Sequence, residues 1–144
     1  MSLNKGINAG SAGTLEVNRL RRLANELEPF RAILIRHEQV LFAQSQQSAA
    51  CNASHSVEAR MCRWLLYMRD LAGSDDLMLT QEFLAQMLSV RRPSVSVVAS
   101  PLQKAGLIKY SRGHVRLLDV KGLEKRACEC YGTVKAHYQR LLSG

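Results

Sequence analysis

No run of this chain approaches the roughly 20 consecutive apolar residues that a membrane span needs. No basic stretch followed by an apolar segment opens it, as a signal peptide would. Neither a membrane protein nor an exported one is expected. Enzymatic chemistry is equally unsupported. The sequence offers no paired carboxylates, no Ser/His/Asp set and no phosphate-binding glycine loop. Charged residues are only 22%, which excludes a polyelectrolyte tail. With 47% hydrophobic residues in 144, the chain can bury the core of one domain, or of a small domain with an arm. Cysteine is sparse too. Cys51, Cys62, Cys128 and Cys130 are spread through a chain without a secretory signal, so reduced thiols and a cytoplasmic location are expected.

Acidic residues are scarce where basic ones collect. The net charge is +8. From Met1 to Leu79, nine Lys/Arg face eight Asp/Glu. From Thr80 to Leu118, Arg91, Arg92, Lys104, Lys109, Arg112 and Arg116 face Glu82 alone. A positive surface clustered in this way releases counterions from a phosphate backbone and speeds encounter with it. A solvated basic surface with no partner is the plainer alternative.

Residues 1–13 are rich in Gly, Asn, Ser and Ala, lack periodicity, and are expected to be flexible. Leu15 and Val17 suit the end of a strand, while Leu20, Leu23 and Leu27 have helical spacing. Pro29 then opens a long helix, since its locked φ suits a first turn. Phe30, Ile33, Leu34, His37, Val40, Leu41 and Gln44 recur on one face at steps of three and four. This stripe predicts about 20 helical residues, roughly 30 Å, that need a partner. Residues 14–50 therefore form one segment, and 51–144 a second. Ala49 to Ser56 reads as a bend, after which Ser56 caps a helix carrying Val57, Met61, Trp64, Leu65 and Met68.

The most specific pattern follows. Leu77–Leu79 suits a short strand, and Thr80 caps a helix from Gln81 to Leu88 that buries Leu84, Ala85 and Leu88. Ser89-Val90 makes a tight turn. A second helix begins at Arg91 or Arg92, with Pro93 in its first turn and Val95, Val98 and Leu102 as its buried stripe. Gly106 ends it. Leu107–Tyr110 and Val115–Leu118 then form a hairpin that turns at Gly113. The fold class is thus mostly α: a winged helix-turn-helix, with a three-helix core and a β-hairpin wing, preceded by a long helix. In such a module the amino end of the second helix enters the major groove of duplex DNA. Arg91 and Arg92 are placed to read bases. Ser94, Ser96, Lys109, Arg112 and His114 are placed to hold phosphates. Pro101, inside the second helix, removes the hydrogen bond to the Val97 carbonyl and predicts a kink.

Asp119 is a good N-cap, and Leu123, Ala127, Cys130 or Tyr131, Val134, Tyr138 and Leu141 predict one long C-terminal helix. On such a helix Cys128 and Cys130 point about 200° apart, poor geometry for ligating one ion together with His137. No metal site and no cofactor are assigned. Cys62 is expected in the core, and His55 as a cap or phosphate contact.

The segments SVEARMCRWLL, LTQEFLAQML, VRRPSV and AGLIKYSRGHVRLLD, taken together, resemble the Crp/Fnr family of bacterial transcription regulators, from about Pro29 to Tyr131. The resemblance implies a homodimer paired through the long helix, with Phe30, Ile33, Leu34, His37 and Leu41 at the seam. It implies double-stranded DNA bound at a palindromic site, with RNA polymerase as a further partner. It also implies an N-terminal β-roll sensor, of which only Leu15 to Val17 would remain, as its last strand. The chain departs from the family's usual recognition helix, with Pro93 and Val97 where many members carry a glutamate and an arginine, so the family's best-known operator does not carry over. The rival reading is a protein-interaction module, or a truncated dimerisation partner of a full-length regulator that binds no DNA itself.

Overall fold

The computed structural model describes residues 13–111 and 113–142. The expected flexible segment therefore lies almost wholly outside the described residues, as does Arg112.

Helix α1 (Val17–Glu26) starts where a strand remnant was expected. The Glu16 carboxylate accepts from the Asn18 and Arg19 amides, and this cap joins the Leu20–Leu23 spacing in favouring helix. After a one-residue break at Leu27 comes α2 (Glu28–Ser54), with Pro29 in its first turn as expected. It runs four residues beyond Ala50, through most of the expected bend. Val40, Gln44, Gln47 and Cys51 recur at steps of three and four on one side of it, facing the C-terminal part of the chain. That packing carries the helix to the break at His55 and Ser56.

Helix α3 (Val57–Ala72), capped by Ser56, is the centre of the core. Met61, Cys62, Leu65 and Leu66 are fully buried on it. Around them close α4 (Gln81–Leu88), α5 (Arg92–Lys104) and a three-stranded antiparallel sheet. The sheet has β1 (Asp76–Leu77), β2 (Ile108–Ser111) and β3 (His114–Leu117) in the order β1-β3-β2. The fold is a winged helix-turn-helix. Leu84, Ala85 and Leu88 of α4 and Val95, Ala99 and Leu102 of α5 are buried, one stripe against the other. Burial pushes the Cys62 thiol up to about 11, which suits an inert core residue.

One expectation about these helices needs correction, that of a single C-terminal helix. Helix α5 passes through Pro101 and continues to Lys104. Pro101 lies on the solvent side, and Val97 is also exposed, so water can reach the carbonyl that loses its donor. The C-terminal segment is two helices, α6 (Val120–Arg126) and α7 (Cys130–Leu142), not one. Asp119 caps α6 as expected, but Ala127 is extended and the chain turns. The turn lets Leu123 stay in the main core while Cys128 and Cys130 join Cys51 in a second buried cluster. No helix among the described residues is long and apolar enough to cross a membrane.

The Thr80 hydroxyl accepts from the Phe83 amide at 3.1 Å and starts the helix pair. Thr80→Ala should lower unfolding stability by about 1 kcal/mol. Urea titration followed by circular dichroism would show this as a lower midpoint with an unchanged slope.

Candidate nucleic-acid interface

Local sequence aims the amino end of α5 outward. Ser89 takes the left-handed conformation with φ 52°, and its amide and that of Val90 return to carbonyls of α4. The chain then leaves the core at Arg91, which flanks the helix in extended conformation. Because Val95, Ala99 and Leu102 must face inward, Arg92, Pro93 and Ser96 face solvent on the opposite arc. Arg91 is exposed, and among the described residues it makes no ion pair. Ser94 is half-buried.

Gln81, the first residue of α4, organises this surface and was not singled out in the sequence. Its Nε2 donates to Ser96 Oγ at 2.9 Å, and its Oε1 accepts from Arg92 Nε at 3.3 Å. One amide therefore fixes two side chains that sequence placed on the same face. Its position directly after an N-cap was the available signal, since that places it beside the start of the following helix. An open cleft of about 560 Å³ lies here, lined by Thr80, Gln81, Glu82, Arg92, Tyr110, Ser111 and Gly113. It brings the starts of α4 and α5 together with the tip of the wing.

The wing folds as a hairpin with Lys109 opposite Arg116 and Ser111 opposite His114. Gly113, at φ 77°, supplies the left-handed turn residue. Lys109 is exposed on β2. His114 points elsewhere than a free phosphate contact would: its Nε2 lies 3.2 Å from Asp76 Oδ1 on β1. Arg116 Nε meets the same oxygen at 2.7 Å. The Arg116 guanidinium, helped by His114, lowers the Asp76 carboxyl below its ordinary value. Asp76 therefore neutralises part of the wing's charge, a feature invisible when only residues 80–118 are counted.

The structure also assembles a group that sequence reasoning dismissed. Cys128 and Cys130 do not diverge along one helix, because α6 ends before them. Ligating atoms of Cys51, His55, Cys128 and Cys130 all lie within 4.8 Å of one another. His137, paired with these cysteines in sequence, is not among them; it lies beside Arg140. His55 is indeed at a helix end, but its ring faces this cluster and Glu129.

The predicted seam on α2 divides in two. Val40 is buried within the chain. Ile33, Leu34 and Leu41 stay exposed at 59%, 36% and 51%, His37 is also exposed, and Phe30 is half-buried. Leu27, Ile35 and Phe42 add to this open apolar surface.

Residues 59–126 match the Crp-like helix-turn-helix domain, a non-enzymatic family. Among solved structures, the chain is similar to TTHB099, a transcriptional regulator of the CRP family from Thermus thermophilus. The identity is 26% and the TM-score 0.56, over 78% of this chain and 55% of that one. FixK2 from Bradyrhizobium japonicum shares the fold, with 15% identity and a TM-score of 0.71 over 77% of this chain and 58% of that one. The chain spans little more than half the length of these structures. Among curated proteins nothing matches.

Asp76 offers a direct check on the wing's electrostatics. A carboxyl held down by Arg116 favours the folded state above its ordinary value of 3.8, and that contribution is lost as pH falls through the lower folded value. NMR titration should place the Asp76 midpoint below 3.8 in the parent and return it toward 3.8 in Arg116→Ala.

Proposed function

We propose that this chain, whose residues 59–126 form a Crp-like helix-turn-helix domain, is a cytoplasmic bacterial transcription regulator that binds a palindromic DNA site as a homodimer. Residues 51–144 act as the reading domain and the long helix within 14–50 as the pairing element. The observation that carries the reading is the outward amino end of α5. There Arg91 and Arg92 stand exposed, and Arg92 shares an open cleft with Tyr110, Ser111 and Gly113 of the wing.

In this reading Arg92, steadied by Gln81, reaches base edges, where an arginine fork matches guanine O6 and N7. Arg91 does the same or grips the adjacent phosphate. Ser94 and Ser96 bond phosphates and set the register. Lys109 and Arg112 hold the backbone from the wing, and His114 joins them only by leaving Asp76. The exposed apolar side chains of α2 cover one another in a second copy, with Phe30, Ile33, Leu34, His37 and Leu41 along the seam. Two-fold pairing would then present two α5 helices about 34 Å apart, one turn of duplex. RNA polymerase is a natural further partner of such a regulator.

Selection from random duplex pools, repeated at two salt concentrations, should enrich an inverted repeat with a steep salt dependence. Arg92→Ala should relax preference at one or two positions, at about 1–3 kcal/mol each. Lys109→Ala should weaken all sequences alike and lower the salt slope by about 1. Equal binding by both variants and the parent would remove the assigned docking face. Leu34→Glu should convert a dimer to a monomer in sedimentation while leaving helicity intact. A parent that sediments as a monomer at every concentration would refute the pairing.

A further inference from the structure

The cluster at the junction of α2 with the C-terminal helices is built like a metal site. Cys51 Sγ lies 3.5 Å from Cys128 Sγ, and Cys130 Sγ lies 3.6 Å from His55 Nδ1. All four ligating atoms fall within 4.8 Å of one another. A zinc ion with Zn–S of about 2.3 Å and Zn–N of about 2.0 Å has tetrahedral edges of about 3.8 Å between sulfurs and 3.5 Å between sulfur and nitrogen. The two separations lie close to those edges. A disulfide would need its sulfurs at about 2.05 Å, and all four cysteines of the chain are free thiols.

The surroundings point the same way. Cys51, Cys128 and Cys130 are 0%, 6% and 2% exposed. His55 Nε2 lies 3.1 Å from Glu129 Oε1, which holds the proton on that nitrogen and leaves the Nδ1 lone pair facing the sulfurs. A carboxylate behind a histidine is the usual support of a histidine ligand. Gln47 Nε2 donates to Cys130 Sγ at 3.0 Å, a bond that strengthens when the sulfur is a thiolate.

Charge supplies an independent sign. Arg63 is 2% exposed and Arg60 6%, and neither forms an ion pair with a carboxylate among the described residues. Burial raises the Cys51 thiol above its ordinary value, and the nearby Arg63 guanidinium opposes that rise. A buried guanidinium with no anion is costly. A divalent ion with three thiolates and a neutral imidazole carries one net negative charge, the counterion that this interior otherwise lacks.

The geometry points to a zinc site formed by Cys51, His55, Cys128 and Cys130, which clamps the end of the long helix to the α6–α7 junction. Four protein ligands close the coordination sphere, so the ion is structural and not catalytic. On binding, each thiol gives its proton to solvent and its sulfur donates an electron pair to the ion. About three protons are released and nothing is oxidised. The site stands whether or not the chain reads DNA, since none of its ligands lies on the amino end of α5 or on the wing.

The full chain, reduced and freed of metal, should be titrated with Zn²⁺ and separately with Co²⁺. One ion per chain is expected, with the ligand-field bands of tetrahedral cobalt and a thiolate charge-transfer band. Cys128→Ser and His55→Ala should each weaken zinc binding at least 100-fold in competition with a chromophoric chelator. Glu129→Gln should weaken it roughly 10- to 100-fold. Cys62→Ala, outside the cluster, should bind as the parent does. If a ligand variant folds poorly, the cobalt spectrum of the unaltered chain decides the matter alone. Failure of the reduced chain to bind either ion would overturn the proposal. So would a Cys51–Cys128 disulfide that persists under reductant, unaltered affinity in His55→Ala, or an iron–sulfur chromophore forming where zinc does not bind.

Discussion

Burial of α3 is the constraint on which the rest of the molecule depends. Sixteen residues present Met61, Cys62, Leu65, Leu66 and Met68 to one core and Arg60 and Arg63 to another side. The apolar face holds α4, α5 and the sheet. The arginine face holds α2, through Arg60 donating to Asn52 Oδ1 at 2.6 Å and Arg63 donating to Ser48 Oγ at 3.5 Å, and Arg63 also stacks on Trp64. One helix therefore fixes the reading surface relative to the long helix. A core of leucine and methionine tolerates small repacking. Buried guanidinium groups tolerate much less, because each lost partner leaves a charge without solvent.

The helix-turn-helix was legible in sequence because its signals are short-range. Thr80, the Gln81–Leu88 repeat, Pro93 and Gly113 each dictate conformation within a few residues, and helix α4 falls on its expected bounds. The open apolar face of α2 was legible as periodicity. Its division was not, since which residues meet α7 depends on chain some 90 residues later. The break between α6 and α7 had no local sign either. Ala127-Cys128-Glu129 contains neither glycine nor proline, and the turn is imposed by what Cys128 and Cys130 pack against. Cys51 and Cys128 are 77 positions apart, so no spacing rule applied along one helix could join them.

Charge shows the same contrast between local and distant information. Counting residues located the basic segment correctly. It could not reveal that Asp76, upstream of that segment, sits against Arg116 and His114. The wing is less positive than its own sequence, and the free cationic surface moves toward Arg91, Arg92 and Lys109. Gln81 completes this surface from a neighbouring helix. A polar side chain that holds Ser96 and Arg92 in place lessens the ordering cost of any contact they make.

The two-residue break at His55 and Ser56 separates a 27-residue rod from the body that carries α5. A rod of that length is about 40 Å long. Rotation of about 5° at its base would swing the far end by roughly 3.5 Å, more than half a helical turn's rise. The packing of Val40, Gln47 and Cys51 against the C-terminal helices resists such a rotation, so the carboxyl half of the rod moves with the body that carries α5.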